Sequence, residues 1–180
     1  MVTSGKSQRK RIVFIGRKNV GKSSLINAFF GYDVCTVNEE AGTTTTPIEK
    51  EMDLPPYGHV ILVDTLGIDF TRELGPNRLE KTIEAISSAD FVVVLLDARE
   101  KLSADEKNIF HHVKKISIPF VAAVNGIEYG INSELINGLR ALNIIHFEIS
   151  CKENVGIDAL KSRITRLLPT ETIGTSSRPV

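Results

Sequence analysis

The chain has 180 residues, 42% of them hydrophobic and 24% charged, which is typical of a globular protein with one well-buried domain. Lys plus Arg and Asp plus Glu both number 22, so the net charge is zero. The chain lacks the excess of basic residues that is typical of nucleic-acid-binding proteins. The two cysteines, Cys35 and Cys151, form no CxxC pair, which argues against a disulfide framework or an iron–sulfur site in these residues.

The sequence divides into a central domain and two short ends. Residues 1–10 are polar and basic and predict a disordered lead, residues 11–169 predict one folded domain, and residues 170–180 predict a tail or linker. The lead has no apolar segment of the kind found in signal peptides, and the longest apolar run, residues 91–96, is far shorter than a membrane span. We therefore expect a cytoplasmic protein without membrane association.

Apolar runs typical of buried strands alternate with segments of helical periodicity through the central domain. In chain order, the pattern predicts a strand at 12–15, a helix from 22 to near 31, strands at 48–54 and 60–63, a helix from about 77, a strand at 91–96, a capped helix from 103, a strand at 119–124, a helix over 135–142, a strand at 144–149 and a helix over 157–167. This order predicts an α/β fold, a three-layer sandwich with a mostly parallel six-stranded sheet and helices on both faces. Ligands of such sheets bind at the loops that leave the carboxyl ends of the strands.

The loop after the first strand has the pattern of a phosphate-binding loop (P-loop). Residues 16–23 read GRKNVGKS, which fits GxxxxGK[ST] at every fixed position, and they lie between a buried strand and an amphipathic helix. This context makes a chance Gly-rich turn improbable and predicts a P-loop NTPase, in which backbone N–H groups surround the phosphates. The predicted phosphate-binding residues are Gly16, Asn19, Val20, Gly21, Lys22, Ser23 and Ser24. Lys22 would reach the β- and γ-phosphates, and the Ser23 hydroxyl would ligate Mg²⁺.

Two further loops fit the phosphate end of a GTPase site. The sequence DTLG follows a buried strand, so that Asp64 would hold Mg²⁺ through water and the N–H group of Gly67 would approach the γ-phosphate. Residues 41–47, AGTTTTP, are typical of a switch loop that supplies a Mg²⁺ ligand when the γ-phosphate is present. A Thr-rich surface loop is the alternative, and the neighbouring motifs favour the switch.

The guanine-binding pattern is altered. Residues 125–128 read NGIE where GTPases usually carry NKxD, so Asn125 matches, Gly126 replaces the Lys, and Glu128 replaces the Asp that accepts two guanine hydrogens. Glu128 can accept the same two hydrogen bonds with one extra methylene, whereas an ordinary loop Asn and Glu would be the alternative. Ser150 and Cys151 are similar to the start of the SAK-type fifth motif, whose backbone contacts the base; a small buried residue is the plainer interpretation of Cys151.

With five motifs in order, residues 10–169 resemble GTPases of the Era/TrmE type, and most closely the GTPase domain of HydF, the FeFe-hydrogenase maturation family. The segments that carry the resemblance are GRKNVGKSSLINAF, AGTTTTPIEKEMDL, DTLGID and RELGPNRLEKT. The ELGxxR pattern at residues 73–78 is more particular to HydF than any nucleotide motif. The chain departs from the family at Thr46, Leu66 and the NGIE motif.

The resemblance implies several site residues and partners. Thr44 would be the second hydroxyl ligand of Mg²⁺, with Thr43 as the nearby alternative, and Asn19 with the backbone carbonyls of Asn38 and Glu40 would bind K⁺ beside the phosphates. The implied catalytic residues are Lys22, Thr44 and Gly67. Ile68 stands where Ras-like enzymes have a water-orienting Gln, so catalysis would not use that side chain. HydF proteins carry further domains for dimerisation and for a 4Fe–4S cluster, so the expected partners are guanine nucleotide, such domains, other hydrogenase maturases and a second copy in a homodimer.

The leading hypothesis is therefore a slow, Mg²⁺-dependent and K⁺-stimulated GTPase. A second hypothesis is a nucleotide-dependent interaction switch with little turnover, which the residue at position 68 and the altered fourth motif favour. A third is another Era/TrmE-type GTPase of ribosome or tRNA metabolism, against which the zero net charge and the ELGxxR segment argue. ATP binding is the least favoured interpretation.

Overall fold

The structure is a computed structural model that describes residues 9–31, 48–65 and 83–168. Its strands are β1 (Lys10–Gly16), β2 (Ile48–Asp53), β3 (His59–Asp64), β4 (Phe91–Asp97), β5 (Phe120–Asn125) and β6 (His146–Ile149). Its helices are α1 (Lys22–Phe30), α2 (Ala104–Lys115), α3 (Ser133–Ala141) and α4 (Ile157–Leu167), with a 3₁₀ turn at Ile127–Tyr129. Residues 83–87 are also helical.

The strands form one six-stranded sheet in the order β2-β3-β1-β4-β5-β6. Strand β1 pairs in parallel with β3 and β4, β4 with β5, and β5 with β6, whereas β2 pairs antiparallel with β3. The predicted fold is confirmed: a mostly parallel sheet with the antiparallel strand at one edge. Along the chain, β2 and β3 are added on one side of β1, and β4, β5 and β6 are added on the other. The loop after β1 therefore lies at the switch point of the topology.

Helices cover both faces of the sheet because successive strand residues point to opposite sides. In β1, Phe14 belongs to a cluster that contains Leu25 of α1 and Leu160 of α4, and all three are fully buried. The neighbouring Val13 belongs to the opposite cluster, which includes Val113 of α2 and Leu139 of α3. These two apolar layers are the core, and they hold the ends of the strands rigidly in place.

Strand β1 begins earlier than its apolar run predicts. Lys10 and Arg11 are paired in register with Val60 and Ile61 of β3, because the backbone ladder continues past the last buried residue. Both side chains have acidic partners: Lys10 Nζ lies 3.4 Å from Asp90 Oδ1, and Arg11 Nη2 donates to Glu49 Oε1 at 2.6 Å. The backbone N–H of Arg11 also donates to Asp90 Oδ2 at 2.8 Å. Because Lys10 and Arg11 are polar, the apolar pattern did not predict them as part of the strand, although contacts with other segments stabilise them there.

Long-range hydrogen bonds fix two helix ends in the described part of the chain. Lys161 of α4 donates from Nζ to the backbone carbonyl of Phe29, in the last turn of α1, at 3.0 Å. The hydroxyl of Tyr57, in the turn between β2 and β3, donates to the carbonyl of Leu168 at 3.0 Å. Both carbonyls lie at helix ends, where backbone acceptors have no partner within the helix. Across the same residues, every helix falls short of the length and apolarity that crossing a lipid bilayer requires.

Candidate nucleotide-binding site

Four loops meet at the carboxyl edge of the sheet. The first connects β1 to α1, the second begins at Asp64 at the end of β3, the third follows β5 at Asn125, and the fourth follows β6 at Ser150. Since β1, β3, β5 and β6 all point the same way, motifs far apart in sequence come together at this edge.

The backbone of the first loop depends on glycine at two positions. A Cβ atom on Gly16 would lie 2.6 Å from the carbonyl oxygen of Leu95, which is closer than real Cβ contacts. Gly21 caps α1 with a φ of 101° in the left-handed region, and a Cβ there would lie 2.4 Å from Nδ2 of Asn125. Asn19 also has a positive φ, of 61°. Glycine at these two positions therefore lets the loop turn tightly against Leu95 and Asn125 and lead directly into α1, and a Gly-rich loop at a helix N-terminus is a typical anion site.

Lys22 is buried in the first turn of α1, at 7% exposure. Its ammonium donates to the carbonyl oxygens of Arg17 at 2.9 Å and Gly16 at 3.3 Å. Burial lowers the pKa of Lys22 to about 8, and the charge of Asp64 offsets part of that shift. The loop's own carbonyls thus hold a desolvated cation at the place where phosphate oxygens would bind.

Ser23 and Asp64 meet beside Lys22. The Ser23 hydroxyl donates to Asp64 Oδ2 at 2.5 Å, and Asp64 is 8% exposed. Burial raises the pKa of Asp64, whereas the hydrogen bond from Ser23 and the charge of Lys22 lower it. A hydroxyl and a carboxylate side by side are hard oxygen donors of the kind that Mg²⁺ takes in nucleotide sites, so these residues fit that ion.

Asn125 connects the base-side loops with the phosphate loop. Its Nδ2 donates to the carbonyl of Val20 at 2.9 Å, and its Oδ1 accepts from the N–H of Cys151 at 3.0 Å. The hydroxyl of Ser150, which is 1% exposed, accepts from the N–H of Glu153 at 3.0 Å. The predicted fourth and fifth motifs are therefore joined through one side chain.

Glu128 lies in the 3₁₀ turn that follows Asn125. Among the described residues its Oε2 is buried and has no hydrogen-bond partner, which leaves an acceptor available to a ligand. The nearby thiol of Cys151 is half-buried, and burial together with the charge of Glu128 raises its pKa to about 12. Gly126 has a left-handed φ of 88°, so a lysine at this position would be strained.

Sequence reasoning did not assign two further features at this edge. Tyr129 is 57% exposed, with Arg99 5.4 Å and Lys152 5.1 Å from its ring centroid. Arg17 of the phosphate loop forms an ion pair with Glu106 of α2. The predicted capping box contained Glu106, but its partner 89 residues away left no signal in the sequence.

Of the remaining predicted site residues, Ser24 lies in the described part of the chain and four others lie outside it. Ser24 is the residue after Ser23 in the first turn of α1, and it is half-buried. The residues predicted for the switch loop, the γ-phosphate contact and the K⁺ carbonyls, namely Asn38, Glu40, Thr44 and Gly67, lie outside the described residues.

Comparisons with known proteins agree on the class of domain. Residues 11–126 match the family described as 50S ribosome-binding GTPase. The chain is 31% identical over 168 residues to GTPase Der of Campylobacter hominis, covering 90% of this chain and 35% of that protein. It is 33% identical over 166 residues to the tRNA modification GTPase MnmE of Endomicrobium trichonymphae, covering 87% of this chain and 35% of that protein.

A solved structure is also similar. Era from Aquifex aeolicus bound to GDP and AlF₄⁻ superimposes with a TM-score of 0.75 at 25% identity, covering 89% of this chain and 57% of that one. The chain thus spans about a third of the length of the Der and MnmE relatives and little more than half of the Era structure.

Proposed function

The chain belongs to the 50S ribosome-binding GTPase family, and on that premise we propose that it binds GTP with Mg²⁺ at the carboxyl edge of the sheet and hydrolyses it slowly to GDP and phosphate. The single observation that carries the proposal is the convergence of Lys22, Ser23 and Asp64 at the start of α1, with Asn125 attached to the same loop. Similarity to GTPases of the Era, MnmE and Der type supports the choice of nucleotide.

The chain's own residues divide the work by position. Lys22 moves its hydrogen bonds from loop carbonyls to the β- and γ-phosphate oxygens, and the N–H groups of residues 19–24 bind the remaining oxygens. Ser23 and, through water, Asp64 would hold Mg²⁺, and the ion would supply positive charge beside the phosphates. Thr44 and Gly67 are assigned by their motifs to the Mg²⁺ and to the γ-phosphate. Glu128 accepts hydrogen bonds from guanine, and the loop that begins at Ser150 and Cys151 contributes backbone contacts to the base, as its similarity to the fifth motif implies.

We include K⁺ stimulation in this proposal. Asn19 occupies the fourth place of the phosphate loop and has an exposed side chain in a left-handed backbone conformation, which supports its availability as a ligand. A cation there would offset the charge that develops between β- and γ-phosphates, as an arginine finger does. Phosphate release in KCl, compared with equal NaCl, tests this point: we expect faster release in K⁺, and equal rates would reject the Asn19 site.

We further propose that the chain is the GTPase domain of an FeFe-hydrogenase maturation protein of the HydF type, acting with further domains or other maturases. The ELGxxR segment at residues 73–78 and the AGTTTTP switch loop support this assignment. A role in tRNA or ribosome metabolism is the second candidate, because MnmE, to which the chain is similar, is a tRNA modification GTPase. Binding of the chain to tRNA or ribosomal RNA at physiological salt would favour the second candidate, whereas the zero net charge predicts no such binding.

Competition among GTP, ATP and XTP for one site tests the nucleotide assignment. We expect fluorescent GDP to bind in the presence of Mg²⁺ and to be displaced by GTP far more readily than by ATP. Equal displacement by ATP would contradict guanine binding.

A single-turnover assay with excess protein separates a slow GTPase from a nucleotide-dependent switch, since a pure switch binds GTP without releasing phosphate within the lifetime of the complex.

A further inference from the structure

Arg17 carries a side chain that leaves the phosphate loop and enters the N-terminus of α2. Its Nε lies 3.0 Å from Glu106 Oε1, and its Nη2 donates to Glu106 Oε2 at 3.2 Å. The Arg17 side chain is 30% exposed and that of Glu106 only 5%. The guanidinium therefore makes one hydrogen bond, from Nη2, and one close charge contact, from Nε, with a carboxylate that is shielded from water.

Glu106 is fixed before it meets Arg17. It is the third residue of α2, and its Oε2 accepts from the backbone N–H of Ser103 at 2.8 Å and from the Ser103 hydroxyl at 2.9 Å. The Ser103 hydroxyl in turn accepts from the backbone N–H of Glu106 at 3.2 Å. These hydrogen bonds hold the carboxylate at the start of α2, and the shortest of them comes from the Ser103 backbone and does not depend on the Ser103 side chain.

The backbone of Arg17 takes part in the nucleotide site. Its carbonyl oxygen accepts the shorter of the two hydrogen bonds from Lys22 Nζ, at 2.9 Å. Arg17 thus forms an ion pair with α2 through its side chain and accepts a hydrogen bond from the Lys22 ammonium through its carbonyl oxygen. Lys22 is the residue assigned to the phosphates. The guanidinium itself is directed to Glu106 and Glu100, with Nη1 4.0 Å from Glu100 Oε2. The side chain is therefore placed to position the loop and not to contact the nucleotide.

We propose that Arg17 and Glu106 are positioning residues for nucleotide binding: their ion pair holds the Arg17 carbonyl, and through it Lys22, in the conformation that receives the phosphates. This inference rests on the proposed GTP site. The Lys22 ammonium reaches the β-phosphate, which GDP and GTP share, so loss of the pair weakens the binding of both nucleotides. An interaction lost equally from the ground state and the transition state raises KM and leaves kcat nearly unchanged.

The chain offers variants that separate loop positioning from helix capping. Glu106→Gln keeps an acceptor at the third position of the helix but removes the charge that binds Arg17. Arg17→Met keeps the apolar stem and removes the guanidinium. Ser103→Ala removes the two hydrogen bonds of the Ser103 hydroxyl but keeps the backbone hydrogen bond from residue 103 that holds Glu106 for the ion pair. Glu134→Gln makes the same chemical change in the exposed Lys101–Glu134 pair, whose side chains are 68% and 63% exposed, and is the matched control.

Titration of the full 180-residue chain with fluorescent GDP and a GTP analogue, together with steady-state hydrolysis and thermal unfolding, tests the proposal. We expect Glu106→Gln and Arg17→Met each to raise both Kd values and KM by about tenfold, with kcat within about twofold of wild type. The double variant should bind nucleotide no more weakly than the single variant of lower affinity, because both substitutions remove the same contact. Ser103→Ala and Glu134→Gln should retain wild-type Kd values at temperatures well below their melting points.

Specific results would overturn the proposal. Unchanged Kd and KM in a folded Glu106→Gln chain would reduce the pair to a structural contact, as would additive losses in the double variant. An equal rise of KM in Ser103→Ala would transfer the effect to the helix cap. A wild-type chain that binds no GDP or GTP would refute the proposed function and this inference together, whereas wild-type binding with unaffected variants refutes the inference alone. If either single variant fails to fold, the remaining one is compared with Glu134→Gln on the same readouts.

Discussion

The side-chain amide of Asn125 donates to the backbone carbonyl of Val20 at 2.9 Å, which joins the loop after β5 to the phosphate loop 105 residues earlier. The oxygen of the same amide accepts from the N–H of Cys151 at 3.0 Å, in the loop after β6. One side chain therefore fixes the spacing between the parts of the site assigned to phosphate and to base, before any nucleotide is bound.

Asn125→Ala should weaken GDP and GTP binding and lower the free energy of unfolding by about 1–3 kcal/mol, because a buried carbonyl and an N–H lose their partner. Isothermal titration with GDP and urea unfolding measure the two effects. Asn108→Ala, an exposed change on α2, is the control and should alter neither quantity. Unchanged affinity in a stable Asn125→Ala chain would contradict a role in arranging the loops.

Ser23→Ala and Asp64→Asn should abolish most of the gain in nucleotide affinity that Mg²⁺ confers on the wild-type chain. The two side chains meet at 2.5 Å and provide the oxygen donors assigned to the ion. GDP affinity measured with Mg²⁺ and with EDTA gives this gain for each variant. Ser24→Ala keeps its backbone N–H and should behave as wild type; a Mg²⁺ effect that survives in both Ser23→Ala and Asp64→Asn would place the ion elsewhere.

Glu128→Gln should shift the preference from GTP toward XTP. The Oε2 of Glu128, buried and without a partner in the described part of the chain, is suited to accept guanine hydrogens. A glutamine amide replaces one acceptor with a donor to the extra carbonyl of xanthine. The ratio of GTP to XTP affinity in competition assays reports the change. An unaltered ratio would show that Glu128 does not read the base. Glu153→Gln, an exposed acid in the next loop, controls for the loss of charge.

The thiol of Cys151 should make stability fall at alkaline pH. Its pKa is about 12 in the folded chain against an ordinary value of 9.0, mainly because of burial and in addition because of Glu128. The folded state therefore keeps the proton more tightly, so this contribution is fully present below pH 9 and is lost as the pH rises toward 12. Urea unfolding from pH 8 to 10.5 should show a steeper loss in wild type than in Cys151→Ala. Parallel curves for the two chains would contradict the shifted pKa, and Cys35→Ser in both removes the other thiol.

Tyr57→Phe should lower the free energy of unfolding by about 1 kcal/mol, because the carbonyl of Leu168 loses its hydrogen bond from the Tyr57 hydroxyl while the ring remains packed. Urea denaturation measures the difference. GDP affinity should remain at the wild-type value, since the contact lies in the turn between β2 and β3 and not at the carboxyl edge. A stability equal to wild type would mean that water replaces the hydroxyl without loss.

The fold was predictable because its signals are local. Runs such as Phe91 to Leu96 are fully apolar because β4 is central in the sheet and covered on both faces, and the motif of the phosphate loop depends on glycines at fixed places. The Ser103 and Glu106 pattern likewise predicted the start of α2, which begins at Ala104 with both capping hydrogen bonds present. Each of these features is encoded within a few consecutive residues.

Contacts between distant segments were not predictable from one sequence. The Arg17–Glu106 pair and the Tyr129 ring between Arg99 and Lys152 depend on which loops the topology brings together, and neither has a spacing rule. The earlier start of β1 was missed for a related reason: Lys10 and Arg11 are polar, but acidic partners and the strand ladder keep them extended. The HydF assignment and the K⁺ site remain predictions.

The hydrogen bond from Lys161 to the carbonyl of Phe29 gives α1 two anchored ends. At one end Ser23 donates a hydrogen bond to Asp64, and at the other end Lys161 of α4 donates to the last turn of α1. A helix of 9 residues spans about 13 Å, so these contacts connect α4 with the start of α1 across one short, regular element. We therefore expect substitutions that shift α4 to alter nucleotide affinity, although α4 carries none of the five motifs.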